Sequence, residues 1–190
     1  MTFGTQPLAL MGLLSLCCFP AGAGENYRVS TLAGELVITP PDEDLFRNVV
    51  TLNRETIVAT TRDDDAPIVT LLAFFPDMRS GPFRQIALLQ YDVGGNACDG
   101  GPFQFLGIDA VGKYQLSEKI DFCGGPAPTI LWKPDSIAIH WIGHRPNHGD
   151  GWIPGKSWEF ADGKIRPSKQ APAQAGAGRK SGKSIAGPNR

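Results

Sequence analysis

The stretch "PIVTLLAFF" (67–75) decides the fold. Its β-branched and aromatic residues are those of a strand, and its apolar residues fall on both faces rather than alternating with polar ones. Such a strand belongs at the centre of a sheet, or in a sandwich core, where neither face meets water. Working outward, "RQIALLQYDV" (84–93), "PFQFLGIDA" (102–110), "PTILWK" (128–133) and "DSIAIHWIG" (135–143) have the same strand composition. So do "RVSTLAGELVIT" (28–39) and "ETIVATT" (55–61) on the N-terminal side. Most are bounded by Gly, Pro, Asp or Asn. In "KYQLSEKI" (113–120), Tyr114, Leu116 and Ile120 share one face and Gln115, Ser117 and Lys119 the other, with Glu118 the exception. In "KSWEFADGKIR", Asp162-Gly163 is the two-residue signal of a type I′ hairpin, with Trp158, Phe160 and Ile165 on its buried face. Only "PPDEDLFRNV" (40–49) offers a short helix instead, with Pro at the first turn and acids after it. The expected fold is all-β, an antiparallel sandwich or barrel of about eight to ten short strands. No repeat of fixed period runs through them, which disfavours a propeller.

The first twenty-odd residues read as an export signal. "PLALMGLLSLCCF" (7–19) is an apolar run of thirteen, followed by "PAGAG" with small residues suited to cleavage after Ala23. Crossing a bilayer takes about twenty apolar residues, so the mature chain is expected to carry no transmembrane helix. No Lys or Arg precedes the run, and neither Cys17 nor Cys18 follows the small residue that an acylation signal wants. Three segments result: a signal peptide at 1–23, an all-β domain at 24–166 and a disordered basic tail at 167–190. Cleavage leaves one cysteine pair, Cys98 and Cys123, in an oxidising compartment, the periplasm or the exterior. A structural disulfide is the reading. It would close a loop of about 25 residues and contribute about 3 kcal/mol in the chain-entropy model.

A formal net charge of −1 conceals an asymmetry. From Lys164 to Arg190 there are seven basic residues and no acidic one, so the rest of the chain carries eleven basic against nineteen acidic, −8. The ending "SKQAPAQAGAGRKSGKSIAGPNR" has one large apolar residue, Ile185, and cannot bury enough surface to offset its ordering entropy. Without interleaved aromatics it suits loose contact with anionic surfaces, and nucleic acid is not an expected partner of an exported chain. Its "GAGRKSGKS" misses the Walker spacing, since Ala177 stands where the first glycine is needed.

All three histidines lie in "IHWIGHRPNHGDGW". If the strand holding Ile137, Ile139 and Trp141 on one face ran on, His140 and His144 would share the other face about 13 Å apart, at about 3.3 Å per residue. A shared zinc needs both nitrogens about 2.0–2.1 Å from the metal. A metal site would have to come from the turn, with His144, His148 and Asp150 as ligands, and would make the protein a metal-binding protein or metal-dependent hydrolase. The alternative is that these are polar strand and loop residues. No G-x-S-x-G or cysteine nucleophile pairs with His140, so catalytic residues are not assigned. "YDVGGNACDGGPF" (91–103) offers Asp92, Asn96 and Asp99 as oxygen ligands for calcium, without the EF-hand spacing. Glycines in a long hairpin loop explain the same residues. "RDDDAP" (62–67) reads as a solvated turn.

Trp141, Trp152 and Trp158 fall within eighteen residues. Trp152 and Trp158 are candidates for a recognition surface, since exposed tryptophan in loops suits glycan stacking or a protein hot spot; packing against the terminal hairpin is the competing account.

The run 86–125 resembles a segment of exported, β-rich proteins of Gram-negative bacteria: an apolar strand, G-G-N-x-C, an aromatic strand, a G-K turn and a second cysteine. The matching positions are Gly94, Gly95, Asn96, Cys98, Phe105 and Cys123. The resemblance implies export, the disulfide and the β class, and carries no activity. The sequence therefore points to an exported, periplasmic or secreted domain that binds a protein or envelope component and needs no cofactor, with zinc or calcium as the alternative.

Overall fold

Twelve short strands account for the regular structure in the computed structural model of the chain, which describes residues 26–42, 47–61, 67–92, 101–121, 128–145 and 151–168. The strands are β1 (Tyr27–Thr31), β2 (Gly34–Ile38), β3 (Val49–Leu52), β4 (Glu55–Ala59), β5 (Ile68–Phe75) and β6 (Phe83–Asp92), then β7 (Phe103–Asp109), β8 (Tyr114–Leu116), β9 (Thr129–Lys133), β10 (Ser136–Trp141), β11 (Lys156–Ala161) and β12 (Lys164–Pro167). Each consecutive group of four forms an antiparallel meander, giving an N-terminal, a central and a C-terminal sheet. No sheet closes into a barrel. The sandwich half of the expectation holds, with a third layer. Among the described residues no helix is long and apolar enough to cross a membrane.

The central sheet is buried on both faces, and the doubly apolar strands are the reason. Along β6, Ile86 and Leu88 point to one side while Ala87, Leu89 and Tyr91 point to the other. In β7, Phe103 and Phe105 oppose Leu106 and Ile108 in the same way. One core packs the second of these faces against Leu36, Ile38, Val50 and Leu52 of the N-terminal sheet. The other packs the first against Ile137, Ile139, Trp141, Trp158 and Phe160 of the C-terminal sheet. This second core is largely aromatic. Phe103 stacks on Trp141 at 5.0 Å, Phe105 stacks on Phe160 at 4.8 Å, and Trp158 stands edge-on to Phe103 at 5.1 Å. Rings of this size each remove a large apolar area from water, and offset or edge-on pairs add about 0.5–1.5 kcal/mol apiece.

Connections at both ends of the strands tie the layers together. Asn48, just before β3, is 3% exposed. Its amide nitrogen donates to Val69 O at 2.7 Å and its oxygen accepts from Val69 N at 2.8 Å, so one side chain satisfies both backbone groups of a β5 residue. At the other end of the strands, the backbone N–H of Leu32 in the β1–β2 turn donates to Gln85 Oε1 at 2.7 Å. There too the N–H of Arg79 donates to Pro134 O, and that of Gly163 to Ser80 Oγ at 3.4 Å.

Three differences from the sequence expectation have local causes. "RVSTLAGELVIT" is a hairpin, β1 and β2, turning at Leu32-Ala33, where Gly34 takes φ 109°. Strand β3 emerges from the end of the stretch offered as a helix; residues 43–46 of that stretch lie outside the described residues. The strand total therefore exceeds the expected one. In "KYQLSEKI" the pairing runs Leu106 with Leu116 but Phe103 with Ile120, a register slip of one residue. A slip of one moves a side chain to the opposite face, so Leu116 packs with the N-terminal core and Ile120 with the C-terminal one. The Asp162-Gly163 turn is as expected, with φ of 51° and 72°, and Trp158, Phe160 and Ile165 face the core. The expected signal peptide (1–23), most of the tail (from 169), Cys98 and Cys123 lie outside the described residues.

Candidate recognition surface

Strand β10 shows two chemically different faces. Ile137, Ile139 and Trp141 enter the aromatic core, leaving Ser136, Ala138 and His140 on the outer face of the C-terminal sheet. His140 pairs with Ser157 of β11 and Thr129 of β9. Its Nδ1 lies 2.9 Å from Ser157 Oγ, and the residue is only 4% exposed. Sequence reading did not join these two residues; only the β10–β11 register does. The His140 ring is buried and Ser157 half-buried, and no third polar side chain is seen to orient the ring among the described residues. The pair serves as a hydrogen-bonded rung that satisfies a buried polar ring.

Beyond Trp141 the ladder continues irregularly. Trp141 pairs with Lys156, and His144 bridges Ile153 three residues further along each strand, in the same register. The backbone bonds His144 N to Ile153 O (3.0 Å) and Ile153 N to His144 O (2.9 Å) hold this extension. Glycines let it close tightly. A side chain at Gly155 would meet Trp141 O at 2.6 Å, and one at Gly143 would meet the Trp152 indole at 2.6 Å. Trp152 is thus seated on Gly143 yet 64% exposed. Ile142 in the extension and Leu131 on β9 are 58% and 55% exposed. By strand alternation Leu131, beside Ala138, lies on the outer face. Lys133, Arg166, Lys164 and Glu159 share that face through their register with Ser136, Ala138 and Ala161. On that face exposed Leu131, with Ile142 by the same alternation, and the charged groups around it have the composition of a binding surface. Trp152, seated on Gly143, stands toward the Trp141 side of the extension.

The other candidates fall elsewhere. Trp158 is 8% exposed and belongs to the aromatic core, so its side chain lines no outer surface. The packing account fits Trp158 and the exposed account fits Trp152. His144 sits in the β10–β11 extension, whereas His148 and Asp150 lie outside the described residues. Asp92 closes β6 opposite Ile68, whereas Asn96 and Asp99 lie outside the described residues. Among the described residues no group of three His, Cys, Asp or Glu is placed to hold a metal ion.

Two tyrosines near the N-terminal core are electrostatically perturbed. Tyr91, buried at the end of β6, donates to Gln104 Oε1 at 2.6 Å, and Gln104 Nε2 donates to Ser117 O at 2.6 Å. Burial pushes its phenol up to about 12, because the phenolate would lose its hydration. The Tyr114 phenol is also raised, through desolvation first and then the charge and hydrogen bond of Glu55.

No family model, curated protein or solved structure matches this chain.

Proposed function

We propose that the protein is an exported β-domain, periplasmic or secreted, that binds a protein or envelope component as an inhibitor, immunity or accessory factor would. The observation that carries this reading is the Trp152 indole, seated on Gly143 but largely in solvent, with exposed Ile142 in the same extension. A large apolar ring held at the surface of a rigid ribbon loses little conformational entropy on binding, which is the property of an interface anchor.

Export is supported by the apolar run at 7–19 with its small-residue cleavage site, and by the resemblance of 86–125 to exported β-rich proteins of Gram-negative bacteria. The Cys98–Cys123 disulfide belongs to the same reading. Phe103 and Ile120 exchange backbone hydrogen bonds of 3.1 and 2.8 Å, so the two cysteine-bearing segments leave the central sheet from adjacent points. The basic tail would add weak, salt-sensitive attraction to anionic surfaces.

The test is retention of envelope components on the immobilised mature protein, with an Ile142→Ser, Trp152→Ser double variant beside it. The expected result is a specific component whose retention falls about tenfold in the double variant at unchanged melting temperature, a loss of about 1.4 kcal/mol. Equal retention by both proteins would overturn the assignment of this surface.

A further inference from the structure

The outer face of the N-terminal sheet carries a different feature, independent of the reading above. Arg28, Glu35, Val37, Thr51, Asn53 and Arg54 line an open concavity of about 570 Å³. That is within the range of small-ligand sites, about 300–1,000 Å³. Arg28, Val37 and Thr51 form one row across β1, β2 and β3 and make its floor. Arg28 Nη1 is held by Glu35 Oε2 at 2.7 Å, so these two side chains are prearranged and their charges cancel. The remaining charge is that of Arg54, which makes no ion pair among the described residues.

The backbone at Arg54 is the second observation. Asn53 and Arg54 form the two-residue turn between β3 and β4, with φ of 50° and 69°. This is the type I′ geometry, whose second position is ordinarily glycine because an L side chain there crowds its own backbone. The turn is packed as well as strained, since a side chain at Gly34 would meet Asn53 Cβ at 2.7 Å. An arginine standing where glycine would be free of strain, with no ion pair among the described residues and at the edge of a concavity, has the character of a ligand clamp.

We propose that this concavity binds a small carboxylate-bearing molecule. The Arg54 guanidinium takes the carboxylate as a two-pronged donor, Glu35 accepts from a hydroxyl or ammonium of the same ligand, and Thr51 and Asn53 supply the remaining polar contacts. An acidic sugar and a short peptide with a free carboxylate share this chemistry.

The experiment is calorimetric titration of the full chain with digalacturonate and, separately, with alanyl-alanine, with a neutral disaccharide as control. Saturable binding of digalacturonate identifies the acidic sugar, and saturable binding of the dipeptide the peptide carboxylate; either supports the site. The Arg54→Gly variant is expected to bind at least about tenfold more weakly. Its melting temperature should rise by about 3 °C, because glycine adopts this turn freely. Arg54→Lys should fall between the two in affinity, keeping the charge and losing the fork. Absence of saturable binding by both acids, or undiminished binding by Arg54→Gly, overturns the proposal.

Discussion

Asn48 shows how one side chain can act as a piece of strand. Its amide satisfies the N–H and C=O of Val69, while its own backbone N–H and C=O are met by the Thr60 hydroxyl at 3.0 and 3.1 Å. Asn48→Ala strands two buried backbone groups, each costing about 1–3 kcal/mol, so urea unfolding should show a loss of about 3 kcal/mol. Tyr91 gives a pH-dependent counterpart. Its folded phenol ionises near 12 against 10 when unfolded, so the unfolded chain releases its proton first. The stabilising contribution is whole below pH 10 and is lost as pH rises from 10 toward 12. A Tyr91→Phe variant should therefore lose stability less steeply than the parent above pH 10, and its ultraviolet titration should lack the latest phenolate step. Neither role was legible beforehand. "FRNVV" gives no sign that Asn48 will reach Val69, 21 residues away, because such pairing is fixed only when two sheets stack.

At the scale of elements, the sequence was informative wherever a turn used its preferred chemistry. Asp162-Gly163 announces β11 and β12 because glycine marks the left-handed position. Asn53-Arg54 makes the same kind of turn without glycine, and β3 went unseen with it. The slip between Leu116 and Ile120 was partly written in the sequence: Glu118, which broke the alternation, lies inside the irregular stretch. Ser117 fills the resulting gap, its N–H donating to Phe105 O at 2.8 Å and its hydroxyl accepting from Phe105 N at 3.0 Å. Gly107 tests packing between elements. The Phe83 ring lies over it, and a methyl group there would come within 2.5 Å of the ring. Gly107→Ala should cost about 1–3 kcal/mol in denaturant unfolding, the ordinary range for overpacking. Phe83→Leu in the same chain should recover part of the loss.

For the whole molecule, "PIVTLLAFF" announced a strand with apolar groups for two cores, but β5 stands at the edge of the central sheet with only Val69 and Phe75 buried. It is β6 and β7, buried on both faces, that make three layers rather than two. The site was less legible than the fold. Trp152 and Trp158 look alike in sequence; alternation along β11 puts Trp158 in the core, while Gly143 holds Trp152 at the surface. If the two cysteines are bridged as proposed, Cys98→Ser with Cys123→Ser should lower stability by about 3 kcal/mol, read from unfolding with and without reductant. Two outer faces remain, one beside Ile142 and one around Thr56, and recognition of the envelope component is proposed for the first. A photoreactive residue placed at Ile142, or separately at Thr56, tests that claim most directly when each mature protein is irradiated with envelope components. Position 142 is expected to give a discrete adduct and position 56 none. An adduct from position 56 alone, or none from either, would contradict it.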